Sequence, residues 1–266
     1  MSTEIDINKL KAEIKNDKQR RLILFGIFAT GLIGLYVLVH FSPHLTQEER
    51  KIVYRIPKYP HHIAELLNVI NRYTENNQFY VLFAFIYLYV FMQSFAIPGP
   101  VFLSLLSGQL FGPIPAFLLV CLCATTGASL CYGLSYSLAR GIVLNRFPNQ
   151  IVNFNKKISQ NRDNLFFYML FLRFTPLIPN VSINVSGPIV GLPFKYFFFG
   201  TLFGLMPGNI IHIRTGLLIQ ELNDFSTSYQ AILTLLGLSL IALLPTFFKK
   251  KLQELDEKGL NKSKKE

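Results

Sequence analysis

From Phe79 to Ala139 the chain runs 61 residues without an aspartate, glutamate, lysine or arginine. One straight helix of that length would be about 90 Å long, three times the hydrocarbon thickness of a bilayer. The stretch must therefore fold back on itself. Two further runs accompany it. Leu22 to Phe41 contains His40 as its only basic or acidic residue, and Tyr229 to Phe248 contains none. About 20 apolar residues suffice for one crossing. In lipid the backbone must satisfy its own hydrogen bonds, which helices do within one segment. These runs predict an all-α integral membrane protein, and the 51% apolar content agrees.

A net charge of +11 raises the question of nucleic acid. Its placement answers no. Lys18, Arg20 and Arg21 precede the first run, and Lys249, Lys250 and Lys251 follow the last. Basic residues flanking apolar runs mark cytosolic membrane ends. The polar residues before Leu22 favour a retained anchor over a cleaved signal peptide. The predicted order is a cytosolic segment (1–21), an anchor (22–41), a lumenal loop (42–78), a membrane domain (79–248) and a cytosolic basic tail (249–266). Arg140, Arg146, Lys156, Lys157 and Arg162 oppose one acid, Asp163, so that loop is expected in the cytosol. An odd number of crossings must then lie between the lumenal loop and this one. One hairpin (79–112) plus one crossing (113–139) fits. The next block repeats the scheme from the other side, with a hairpin over 165–191 and a crossing over 194–219. The expectation is four transmembrane helices and two re-entrant hairpins, forming an inverted repeat.

The breaks are written in the sequence. SGQLFGPIP (107–115) and SGPIVGLP (186–193) share a Ser-Gly-x-x-x-Gly core. The turns are assigned to AIPGPVF (96–102) and TPLIPNVSIN (175–184). Pro98 and Pro100 bracket Gly99 and lack amide donors. Irregular backbone at membrane depth persists only when buried in protein or lining a wet cavity. Asn180, Ser182, Asn184 and Ser186 are the expected hydrogen-bonding partners. Gly127, Gly200 and Gly204 read as helix-packing residues.

Chemistry is limited by what is missing. Asp163 is the one carboxylate between Phe79 and Gln220. Proton-coupled carriers use buried acids, and hydrolases need a nucleophile with a base or metal ligands. Neither set is legible, nor is a phosphate-cradling loop. Cys121, Cys123 and Cys131, three in one apolar segment, predict neither a disulfide framework nor a metal site. No cofactor is expected. Arg173 and Arg214 stand out, since an intramembrane charge costs at least ~2.5 kcal/mol. Two roles fit Arg173: a bidentate contact to lipid phosphate, or a clamp on the carbonyls freed at the break. Arg214 reads as a residue snorkelling to an interface beyond an interruption at Pro207-Gly208. Lys195 reads as a topology anchor, and His212 as a packed residue.

FAIPGPVFLSLLSG, LVCLCATTGASLCYGLSYSLAR, FLRFTPLIPN and GTLFGLMPG, in this order and spacing, resemble the transmembrane protein 41B-like family of the VTT-domain, or DedA-like, superfamily. The resemblance runs from about Phe79 to Lys251. It implies ATP-independent phospholipid scrambling in the endoplasmic reticulum, phosphatidylserine included, in support of autophagosome formation and lipid mobilisation. The partners it implies are membrane phospholipids, bridge-like lipid-transfer proteins and vacuole membrane protein 1-like proteins. Pro98, Gly99, Ser107 and Gly108 fall on the family's first-loop motif. Arg173, Pro176, Pro179 and Asn180 fall on its second, with Asn184, Ser186 and Gly187 following. Bacterial relatives carry acids in these loops where this chain has none, which argues against proton coupling. Lys262 and Lys264, five and three from the end, match a dilysine-type retrieval signal. Two other functions compete: a secondary transporter of a small solute, and a non-catalytic adaptor that wedges one leaflet.

Overall fold

The computed structural model describes residues 17–43, 45–53, 55, 60–175 and 178–221. Among them regular structure is helical throughout, with no strand. Among the described residues three stretches are long and apolar enough to cross a membrane: Lys18–His40, Pro113–Arg146 and Phe194–Leu218. The expected crossing over 229–248, the basic tail, and Lys262 and Lys264 lie outside the described residues.

Helix α1 (Asp17–His40) presents apolar side chains on all sides, among them Leu22, Phe25, Ile33 and Val39. Such a helix has lipid as its natural solvent. The polar stretch after it holds two helices, α2 (Gln47–Val53) and α3 (Pro60–Asn76). Thr46 and Glu49 start α2 as a reciprocal capping box: the Thr46 amide donates to Glu49 Oε2 at 2.7 Å, and the Glu49 amide to Thr46 Oγ1 at 3.3 Å.

The membrane domain begins with α4 (Gln78–Ser94) and α5 (Pro100–Phe111), separated by a break over 95–99. Helix α6 (Pro113–Leu134) runs through one π-helical turn, Ser135–Ala139, into α7 (Arg140–Arg146). The expected basic loop over 140–163 is thus mostly helix: α7, then α8 (Pro148–Gln160) and a 3-10 turn at Arg162–Asn164. The reason is amphipathicity. Ile151, Phe154 and Ile158 repeat at helical spacing and are buried, while Asn149, Gln150, Asn153 and Lys156 are exposed. The basic residues occupy the polar side of helices rather than an irregular loop.

A second unit follows the same plan. Helices α9 (Leu165–Phe174) and α10 (Asn180–Ser186) flank a break over 175–179, and α11 (Phe194–Glu221) is the long helix. Here a second expectation fails. Pro207-Gly208 does not interrupt α11, which passes through Pro207. Proline removes one ladder hydrogen bond, and packing on both flanks holds the helix through the gap.

The two units interlock. Each first helix packs on the long helix of its own unit, α4 on α6 and α9 on α11. Each short helix also packs on the long helix of the other unit, α5 on α11 and α10 on α6. Hydrogen bonds tie these crossed contacts. Gln109 Nε2 donates to the Gly216 carbonyl at 2.7 Å, Ser135 Oγ to the Val185 carbonyl at 2.6 Å, and Tyr132 Oη to the Leu192 carbonyl at 2.6 Å. A Cβ on Gly216 would strike the Leu105 backbone, so only glycine allows α5 to lie this close.

Candidate polar site at the second helix break

Helix α9 stops because Thr175 is extended, with φ −101° and ψ 133°. A residue before proline disfavours the helical region, and residue 176 is proline. The Thr175 hydroxyl bonds back to the Phe171 carbonyl at 2.7 Å, closing the helix end. Pro179 then caps α10 in a polyproline-like conformation. The break brings the last turn of α9 against the first turns of α10, with α11 behind them.

Arg173 occupies this junction and is buried, 7% exposed. Its guanidinium donates to Asn180 Oδ1 at 3.0 Å, Asn184 Oδ1 at 2.8 Å and Thr201 Oγ1 at 2.8 Å. It also approaches the Asn180 carbonyl at 3.4 Å and lies 5.3 Å from the centroid of the Phe197 ring. Every one of these partners is neutral. No carboxylate pairs with Arg173 among the described residues, and its Nε finds no acceptor there. The charge is held by dipoles, so its positive field is not cancelled by a counter-ion.

Two features of the sequence make room for it. Gly204 faces Arg173 so closely that a Cβ would come within 2.5 Å of Arg173 Cβ. Gly200 does the same for Met169, one turn earlier, at 2.6 Å. Asn184 is fully buried, whereas Asn180, Pro179 and Ser182 are exposed. The site is therefore a buried cation behind an exposed polar rim.

The other predicted residues separate into groups. Pro176 lies outside the described residues. Pro98 and Gly99 sit at the first break, as expected of a turn. Ser107 and Gly108 lie inside α5, after that break, and both are buried; Gly108 faces Ile213 of α11. Ser186 ends α10, and Gly187 follows it into the turn before α11. The duplicated Ser-Gly-x-x-x-Gly motif thereby divides its labour. Its second glycines, Gly112 and Gly191, make the turns with φ of 79° and 74°. Gly127 faces Gln93 so closely that an added Cβ would come within 2.5 Å of Gln93 Cβ. His212 is half-buried, Arg214 is exposed, and Lys195 lies 5.0 Å from the Tyr196 ring centroid. Thr201 escaped the sequence reading. Its signal was weak, a lone threonine one turn before Gly204.

A family profile described as the VTT domain matches residues 97–218, which begins within the first break and takes in the second break and the Arg173 cluster. The chain is 38% identical over 229 residues to the transmembrane protein 41 homolog of Caenorhabditis elegans, covering 85% of this chain and 93% of that one. It is 36% identical over 249 residues to transmembrane protein 41B of Gallus gallus, covering 92% of each. The Homo sapiens transmembrane protein 41B is 36% identical over 236 residues, 88% of this chain and 80% of its own. No solved structure matches the chain. With such identity along most of its length, and the VTT domain at its centre, this membrane protein belongs to the transmembrane protein 41 family of VTT-domain proteins.

Proposed function

We propose that the protein is an ATP-independent phospholipid scramblase of the endoplasmic reticulum that moves phospholipids, phosphatidylserine among them, between leaflets. The observation that carries this reading is Arg173, a buried cation held only by neutral groups at a helix break. A phosphate diester is the anion such a fork suits, since guanidinium binds it bidentately. Asn180 is the exposed partner. A headgroup arriving at the rim can take over the hydrogen bond that Asn180 Oδ1 now accepts. The acyl chains remain in lipid throughout, so only the headgroup meets protein.

The helix lengths support the path. Helix α9, with 10 residues, is about 15 Å long, half the hydrocarbon thickness. In this reading both helix–break–helix units are re-entrant hairpins entering from opposite faces. In the same reading both termini are cytosolic. Scrambling supplies lipid to growing membranes such as autophagosomes. Bridge-like lipid-transfer proteins and vacuole membrane protein 1-like proteins are its proposed partners. Downhill exchange requires no nucleotide or proton coupling and makes no covalent change in the lipid.

The test is a dithionite assay on the purified full chain in vesicles carrying fluorescent phospholipid, without ATP or ion gradients. Quenching well beyond the outer-leaflet half is the expected result. A plateau at half, with reconstitution verified, overturns the proposal.

A further inference from the structure

The two units share more than their order of helices. Arg173 is the penultimate residue of α9, immediately before the second break. The penultimate residue of α4, immediately before the first break, is Gln93. Seven and eleven residues after Arg173 stand Asn180 and Asn184, the two amides it binds. At the same spacings after Gln93 stand Pro100, which opens α5 as Asn180 opens α10, and Ser104. Ser104 and Asn184 are each 1% exposed. The glycines correspond as well. Gly204 of α11 admits the Arg173 Cβ, and Gly127 of α6 admits the Gln93 Cβ, both at 2.5 Å from an added Cβ. Gln93 therefore holds in the first unit the position that Arg173 holds in the second.

The two differ in how far they are committed. Arg173 is buried and makes three close hydrogen bonds. Gln93 is half-buried, and its side-chain amide makes no hydrogen bond among the described residues. The groups that would have received it are engaged elsewhere. Ser104 Oγ pairs with Tyr89 Oη at 3.1 Å and donates to the Pro100 carbonyl, and Ser94 Oγ bonds the Val90 carbonyl at 2.6 Å. Gln93 thus offers both a donor and an acceptor at the first break with no partner among the described residues.

We infer that Gln93 is a second headgroup-contacting residue, the neutral counterpart of Arg173. The inference rests on the scrambling reading above and deepens it. Arg173 attracts the phosphate from one side. Gln93 hydrogen-bonds the same class of ligand, a phospholipid headgroup, from the other unit without adding charge. A neutral second contact keeps the path open to zwitterionic lipid. Two arginines would hold the phosphate too long for passage.

The test uses the full chain in phosphatidylcholine vesicles with trace fluorescent phosphatidylserine or fluorescent phosphatidylcholine. Wild type, Arg173→Ala, Gln93→Leu and Gln93→Glu are compared. Gln93→Leu is expected to slow both lipids about tenfold, the effect of one hydrogen bond lost from the barrier state. Gln93→Glu is expected to slow phosphatidylserine at least several-fold more than phosphatidylcholine, because the new carboxylate repels the net anionic headgroup. That ratio does not depend on how much variant is folded, so it remains decisive if Gln93→Leu folds poorly. A Gln93→Glu protein with the wild-type lipid ratio overturns the inference and assigns Gln93 to packing against Gly127. If wild type scrambles, Arg173→Ala is slow, and Gln93→Leu runs at the wild-type rate, the inference falls and the scrambling reading stands. If wild type itself plateaus at half, both fall.

Discussion

The two helix breaks have the same place in their units and are held by different forces. The first is held by backbone conformation. Ala96 has φ 58° and Gly99 has φ 144°, and the Ile97 amide closes on the Met92 carbonyl at 2.8 Å. No charge is involved. Across the second break the described residues contain no positive φ, and Thr175 and Pro179 adopt ordinary extended conformations. A side chain holds it instead, with Arg173 bridging α9, α10 and α11. The lesson is that a break at membrane depth can be stabilised locally or by long-range polar contacts. Only the second way leaves a buried cation behind an exposed partner, Asn180.

Removing the arginine should break this contrast most strongly. Arg173→Ala leaves Asn184 and Thr201 buried without their donor and should cost about 3 kcal/mol, with loss of scrambling. Thermal melting in nanodiscs and the dithionite assay read the two effects. Arg173→Lys should recover only part, since an ammonium cannot reproduce the planar fork. A smaller loss follows from the packing glycines. Gly204→Ala and Gly127→Ala should each destabilise by about 1–3 kcal/mol through overpacking. Gly204→Ala should be the worse, because it displaces Arg173. Equal melting shifts would show that the guanidinium cluster adds nothing to its break.

The first break should answer to backbone changes alone. Gly99→Ala forces a left-handed alanine against Met92 and should lower stability by about 1–2 kcal/mol. Ala96→Gly should do the reverse and raise it by about 0.5 kcal/mol, the relief of strain less the added chain entropy. A loss on Ala96→Gly would mean that the Ala96 methyl contributes packing that outweighs its strain. The smallest effect lies away from both breaks, at the α2 cap. The Thr46 amide, then the Thr46 hydroxyl and Arg72, hold the Glu49 carboxyl below the usual carboxylate range. Its folded value is lowered, so its stabilisation is present above that range and fades as pH falls through the lowered value. Glu49→Gln should remove that acid-side dependence and leave scrambling at neutral pH unchanged.

Much of this was legible from residue types. The 61-residue uncharged run required folding back, and the paired glycines and prolines located both interruptions. Arg173 and Asn180 were picked out together because a charge beside a break is rarely accidental in lipid. Other parts were misread for identifiable reasons. The loop over 140–163 was judged by charge and not by the helical spacing of Ile151, Phe154 and Ile158. Pro207-Gly208 reads as an interruption, although the helix continues through it.

The sequence by itself determined the solvent, the helical class and the positions of the breaks. These follow from local chemistry: uncharged length, missing amide donors and glycine's freedom of φ. The tertiary structure alone decided what Arg173 touches. Asn184 and Thr201 come from separate helices, and the glycine behind Gln93 meets it as Gly204 meets Arg173 only through the packing of two helices. Such contacts depend on how helices cross, which the 3.6-residue period of any one helix does not encode.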